Sequence, residues 1–330
     1  MAVISVSNLK KRFNLEAGFF ARFGRFVYAV NDVSFSIGRN ETYGLVGESG
    51  CGKTSTARLL VRMYEPDEGR ITFQDREDVR AMKRGELKRY RERVKYVFQD
   101  PARSLNPRMS VYDVLVAGRR WSSGGAGLAK RRLREEAAAA LEEAGLDGAD
   151  LDRRPTEFSG GQRQRISIAR GLLMKPDLLI CDEVVSALDV SIQGQILNLL
   201  LDIRSRHNLS FLFIAHDLKV ACYFCDRIGV MYRGELMEEA PAAELYRTAR
   251  HPYTRLLFSS VKTTGAPEEK PGNRAFDREL QTPLGEPKGC AFAERCPLAE
   301  ARCFTERPPL LPVSTGHQVR CFKVGLITKP

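Results

Sequence analysis

The spacing of apolar positions predicts a chain that alternates strands with helices. Residues 3–9 alternate apolar and polar side chains, and residues 27–37 do so again around Asn31 and Asp32, so both read as half-buried strands. An aromatic, basic insert lies between them at 18–26. Residues 42–46 form a short apolar run ending in a glycine-rich turn, and 54–63 has helical composition, which gives strand, loop, helix. Residues 75–95 carry an excess of Arg and Lys and suit a solvated helical face. Further strands are predicted at 94–98, 178–181, 209–215 and 228–232. Further helices are predicted at 130–144, closed by Gly145 and Gly148, at 163–173, stopped before Pro176, and at 191–206. This alternation implies an α/β fold, with a mainly parallel sheet covered by helices on both faces. Proline and glycine then accumulate from 265 to 289, which reads as a linker or irregular arm.

Composition narrows the class. A length of 330 residues suggests two domains, or one large domain with an appendage. With 43% hydrophobic and 28% charged residues a large core is available and global disorder is excluded. The net charge of +11 favours an anionic partner: a nucleotide, a nucleic acid or an anionic membrane face. No apolar run approaches the ~20 residues that span a bilayer. The N-terminus lacks the charged-then-apolar order of a secretory signal. Both features point to a cytosolic chain whose membrane role works through a partner that spans.

The eight cysteines are unevenly placed. Cys51, Cys181, Cys222 and Cys225 are scattered, whereas Cys290, Cys296, Cys303 and Cys321 crowd near the C-terminus, separated by five, six and seventeen residues. In a cytosolic chain such a cluster suggests metal before disulfide. The gaps are wider than those of common zinc fingers, so Zn²⁺ or an iron–sulfur cluster both fit, with four free, partly buried thiols as the plain alternative.

Candidate chemistry follows in order along the chain. Gly47-Glu48-Ser49-Gly50-Cys51-Gly52-Lys53-Thr54 has the pattern of a phosphate-binding loop, sits between a predicted strand and helix, and is followed by Ser55. Its glycines let backbone N–H groups surround phosphate oxygens, and the helix dipole adds positive potential. Lys53 supplies a point charge for the outer phosphates, and the Thr54 hydroxyl suits Mg²⁺. Gln99 ends a strand, which alone means little. Phe158-Ser159-Gly160-Gly161-Gln162 opens a helix and makes either a second anion site or a simple N-cap by Ser159. Asp182 and Glu183 end a buried strand; Asp182 can orient Mg²⁺ or its water, and Glu183 can accept a proton from attacking water. Two such acids also serve as a helix cap and a solvated neighbour. His216 stands alone at a strand end, where histidines are more often structural than functional.

Taken as an ordered set, these motifs resemble the ATP-binding cassette (ABC) ATPases over about residues 1–250. The resemblance identifies 47–54 as Walker A, Gln99 as the Q-loop, Ser159, Gly160, Gly161 and Gln162 as the signature, and 179–183 as Walker B. It identifies 186–189, with Asp189, as the D-loop and His216 as the switch histidine. It implies a P-loop core with an antiparallel β edge and a helical subdomain at about 105–170. It also implies Mg²⁺ held through Thr54, Gln99 and Asp182, and a head-to-tail dimer in which each ATP meets the other subunit's signature. Glu183, His216 and Gln99 are then the catalytic group. Val184 departs from the proline many relatives have, and Phe158 from the commoner leucine. Phe23, Phe26 and Tyr28 all lie where an adenine-stacking aromatic is expected.

A narrower resemblance is to the oligopeptide/dipeptide permease branch, of the OppF/DppF type. It rests on Asp100-Pro101, Ser104-Leu105-Asn106-Pro107-Arg108-Met109, residues 185–193, His251-Pro252-Tyr253-Thr254 and the cysteine segment. It implies a C-terminal extension over 251–330 whose four cysteines hold a 4Fe-4S cluster rather than zinc. Its implied partners are a second, non-identical ATPase, two transmembrane permease subunits and an extracytoplasmic solute-binding protein, with the chain peripheral on the cytoplasmic face of the inner membrane. Relatives in this branch also handle nickel, glutathione and other small solutes. A soluble ABC protein acting on nucleic acid is the rival class; a single cassette and the lack of a long coiled-coil insertion oppose it, so no nucleic acid is expected.

Overall fold

A computed structural model describes residues 1–15, 25–122, 127–186, 188–260, 285 and 288–324. Most of the 18–26 insert, Phe23, Ala187 and nearly all of the 265–289 arm lie outside the described residues. In chain order the strands and helices begin with β1 (Ala2–Asn14), β2 (Phe26–Gly38), β3 (Thr42–Val46), α1 (Lys53–Leu60), β4 (Glu68–Phe73), β5 (Glu77–Asp78), α2 (Arg84–Arg93) and β6 (Val94–Val97). Then come α3 (Pro101–Ser104), α4 (Val111–Arg120), α5 (Lys130–Glu143), α6 (Gly160–Leu172), β7 (Leu178–Asp182), α7 (Val190–His207) and β8 (Ser210–Ala215). The chain continues through α8 (Leu218–Phe224), β9 (Arg227–Tyr232), β10 (Glu235–Pro241), α9 (Ala242–Thr248), α10 (Pro252–Ser260), α11 (Ala301–Thr305), β11 (Leu311–Ser314) and β12 (His317–Val319).

Two compact units form. The first comprises Met1–Ile4, Ile37–Glu41 and Phe73–Ile214, and the second Ser5–Ser36, Thr42–Thr72 and Ala215–Pro330. In the first, β6, β7 and β8 run parallel, with Val94 opposite Leu178 and Leu178 opposite Ser210. Every residue of β7 and β8 is buried, as continuous apolar runs in a parallel sheet require. Helices α4, α5 and α6 of the same unit share an apolar cluster that includes Leu115, Val116, Leu133, Leu141, Ile166 and Ala169. The start of α4 is set by Ser110, whose hydroxyl accepts the Asp113 N–H.

In the second unit β3 pairs in parallel with β9, and β9 pairs antiparallel with β10. The strand β12 then joins β10, and β11 joins β12, both antiparallel, so the C-terminal segment lengthens this sheet. β10, β11 and β12 were not predicted. β10 carries Glu235, Glu238 and Glu239, and all three are buried. Arg307 pairs with Glu235, His317 with Glu238 and Arg227 with Glu239. Buried carboxylates are tolerable only with such partners.

Two elements are shorter than predicted. α1 stops at Leu60 because Arg62 turns into the left-handed region at φ 53°, and the N–H groups of Arg62 and Met63 close back on Leu59 and Arg58. The charged stretch 75–95 is helical only over α2, because Glu77–Asp78 form β5 and Asp78 then turns the chain, its carboxylate and carbonyl accepting the Arg80 and Ala81 N–H groups.

Candidate functional site

In the second unit, β3 delivers the chain into the loop 47–54 and α1 carries it away. Gly52 is the N-cap of α1 at φ 107°, and a Cβ there would sit 2.1 Å from the Ala29 carbonyl oxygen. Both the conformation and the space therefore demand glycine. The Lys53 ammonium is buried and donates to the carbonyls of Gly47 and Glu48 at 2.7 and 2.9 Å. The Glu48 N–H donates to the Tyr253 hydroxyl at 3.0 Å, and the Glu48 carboxylate takes both arms of Arg295 at 2.8 and 3.0 Å. Cys51 is buried and its thiol is pushed up by that burial, which makes it an inert packing group. Thr54 and Ser55 open α1. His216, also in this unit, follows β8 and is exposed, next to Asp217, which caps α8 through the N–H groups of Lys219 and Val220.

In the first unit the structure brings together Gln99, Asp182 and Glu183. Asp182 is buried at the end of β7 and accepts a 2.5 Å hydrogen bond from the Tyr96 hydroxyl. The Gln99 amide donates to the Glu183 carboxylate at 2.6 Å. Glu183 itself adopts φ 49°, a left-handed conformation that costs a non-glycine residue about 1–3 kcal/mol and that clusters at functional sites. Its N–H donates to Ile214 O, which holds the strained residue against β8. Val184 next to it is buried.

The signature and D-loop residues also lie side by side in the first unit. Ser159 caps α6, and a reciprocal box forms with Gln162, at 2.9 Å from the Ser159 N–H and 3.3 Å to the Ser159 hydroxyl. Ser159 and Gly160 are exposed. Gly161 abuts α7: a Cβ there would meet Ile192 Cγ2 at 2.8 Å. Asp189 is the exposed N-cap residue of α7. Phe158 is buried beneath the Arg153 guanidinium, 4.4 Å from its ring.

Of the adenine-stacking candidates, Phe26 carries the Arg12 guanidinium 4.7 Å over its ring, and Tyr28 lies half-buried on β2. Sequence reasoning missed Tyr96, Tyr253 and Arg295. A tyrosine two residues before a strand end carried a weak signal for Tyr96. Nothing near Arg295 pointed to a partner 247 positions away.

None of the eight cysteines forms a disulfide. Cys290, Cys296, Cys303 and Cys321 gather in the second unit, where the Cys290 N–H donates to Cys303 O at 2.7 Å. Burial pushes the Cys290 thiol up to about 11, and Cys321, Cys296 and Cys303 add to the rise; Cys296 and Cys321 are raised by burial in the same way. Among the described residues, however, no group of three or more His, Cys, Asp or Glu side chains is arranged to hold a metal ion. The expected cluster ligands are thus neighbours but not a formed ligand set. Arg295, adjacent to Cys296, grips Glu48 of the phosphate loop.

No described helix is long and apolar enough to cross a membrane. Residues 30–186 match the ABC transporter family, and residues 237–303 match the oligopeptide/dipeptide transporter C-terminal region. The oligopeptide transport ATP-binding protein AppF of Bacillus subtilis is 41% identical over 325 residues, 97% of this chain and 96% of that protein. A Brucella ovis protein, named provisionally as a peptide import ATP-binding protein, is 45% identical over 294 residues, 89% of this chain and 91% of its own. Among solved structures, the ATP-binding cassette MJ0796, dimeric and bound to ADP and Pi in a post-hydrolysis state, is similar at TM-score 0.64 and 25% identity. That similarity covers 72% of this chain and 98% of the cassette. With the loop, the strand-end acids and the capped signature helix all in place, these matches put the chain in the ATP-binding proteins of ABC transporters, in the branch that carries the oligopeptide/dipeptide transporter C-terminal region.

Proposed function

We propose that the chain is the ATP-hydrolysing subunit of an importer of oligopeptides or dipeptides. The observation that carries this reading is the pairing, on one chain, of an ABC cassette with the C-terminal region of oligopeptide/dipeptide transporters. The loop 47–54 binds the ATP phosphates through its amides, with Lys53 turning from its own carbonyls to the outer phosphates. Glu183 accepts a proton from the attacking water, Gln99 orients it, and His216 faces the γ-phosphate. Thr54 offers a hydroxyl oxygen in the second unit, and Gln99 and Asp182 offer amide and carboxylate oxygens in the first; each is an oxygen of the kind that would hold Mg²⁺, which when bound would neutralise phosphate charge. Ser159 and Gly161, with Asp189, meet ATP held by a second ATPase subunit; the exposure of Ser159 and Gly160 supports this.

The partners are a second, non-identical ATPase, two transmembrane permease subunits and an extracytoplasmic binding protein. We also assign Cys290, Cys296, Cys303 and Cys321 as the residues that would hold a 4Fe-4S cluster as thiolates, which when bound would tie this segment together. Purification of the tagged chain under anaerobic conditions tests both readings. The expected result is co-purified permease subunits and brown protein that is bleached by Cys296→Ser. Colourless, iron-free protein would remove the cluster, and co-purification with nucleic acid instead of membrane subunits would remove the importer.

A further inference from the structure

Glu48 is held at every polar group it has. Its carbonyl accepts from Lys53 at 2.9 Å and from the Cys51 N–H at 3.3 Å. Its N–H donates to the Tyr253 hydroxyl at 3.0 Å. Its carboxylate takes a two-armed hydrogen bond from Arg295, whose side chain is only 10% exposed and which also donates to the Tyr232 hydroxyl at 3.2 Å. Planar, bidentate pairing of this kind fixes orientation as well as distance. Phe292, three residues before Arg295, is buried against both Tyr232 and Tyr253, at 5.3 Å between ring centroids in each case. Arg233, which follows Tyr232, donates to Glu294 of the same segment at 3.1 Å. All these residues belong to the second unit.

Lys53 and Arg295 divide the work of shaping the loop. When the Lys53 ammonium turns to a phosphate it must leave the carbonyls of Gly47 and Glu48. The loop is then held by Tyr253 and Arg295, both from the C-terminal part of the chain. The geometry points to Arg295 as a positioning residue of the phosphate loop: through Glu48, the cysteine-bearing segment keeps the loop in the shape that receives nucleotide. This rests on the reading of 47–54 as the ATP site. It makes ATP affinity depend on a segment that contributes no phosphate ligand of its own.

Steady-state ATPase kinetics and equilibrium MgATP binding on the full chain in its assembled complex test the inference. Arg295→Ala and Arg295→Lys are both expected to raise KM and Kd for ATP about tenfold or more, the lysine because it keeps the charge but loses the fork. With kcat at saturating ATP retained within about twofold, the loss falls on ground-state loop shape rather than on chemistry. Glu48→Ala is expected to raise KM and Kd for ATP in the same direction, and Arg295→Ala/Glu48→Ala to raise them no more than the stronger single change. If Arg295→Ala fails to fold, Arg295→Lys alone decides. Wild-type ATP affinity in the Arg295 variants, or additive losses in the double variant, would overturn the inference. Lys53→Ala is the control: if it binds ATP normally, the reading of the loop itself fails, whereas its loss beside unchanged Arg295 variants sinks only the role of Arg295.

Discussion

At the scale of single residues, Glu183 is held in an unfavourable backbone region and its carboxylate is engaged by Gln99. Strain held by the hydrogen bond from its N–H to Ile214 O fits a group whose position matters more than its cost. Glu183→Gln should keep ATP binding at this subunit's site and slow its hydrolysis at least ~100-fold, as measured by single-turnover ATPase assays. Two buried histidines make a second prediction. Burial pushes His317 down, but hydrogen bonds to Glu238 and Glu244 outweigh it and hold its pKa above 6.5. Its stabilising charge is present in full below pH 6.5 and is lost as pH rises through the raised value. Burial lowers His251 to about 4, against the opposing charge of Glu238, so its contribution is lost as pH falls from 6.5 towards 4. Thermal melting across about pH 4 to 8 should therefore peak near the ordinary histidine value. His317→Gln should flatten the alkaline side alone. A melting profile that rises steadily above that pH would contradict the assignment.

Elements were legible where one physical signal dominated. The apolar runs of β7 and β8 needed no partner information, because a strand buried on both faces must be apolar throughout. The phosphate loop and the α6 cap were equally plain, since glycine and serine at fixed offsets have local backbone causes. β10 was not legible, because its acids become tolerable only beside Arg307, His317 and Arg227. β11 and β12 are short and partly exposed, so their pattern carried little signal. The spacing of α6 from α7 yields an element-scale test. Gly161→Ala drives a methyl into Ile192 Cγ2 at 2.8 Å and should cost about 1–3 kcal/mol, read from the urea midpoint. In an Ile192→Ala background, where that methyl is gone, the same change should cost nearly nothing. Equal costs in both backgrounds would show that the two helices are not in limiting contact.

At the scale of the molecule, local motifs gave the chemistry while long-range contacts gave its control. Gln99 with Glu183 and Tyr96 with Asp182 join residues more than 80 positions apart, and Arg295 reaches Glu48 across 247. Such pairs leave no periodicity in the chain, so the coupling of the cysteine segment to the phosphate loop emerged only on folding. The decisive measurement is uptake of labelled oligopeptides by vesicles containing the chain, its partner ATPase, both permease subunits and the binding protein, with ATP supplied on the ATPase side. Uptake that requires ATP and the binding protein, and that falls to the ATP-free background with Lys53→Ala, is the predicted result. Uptake that persists with Lys53→Ala, or a complex that hydrolyses ATP and accumulates another solute but no peptide, would contradict it.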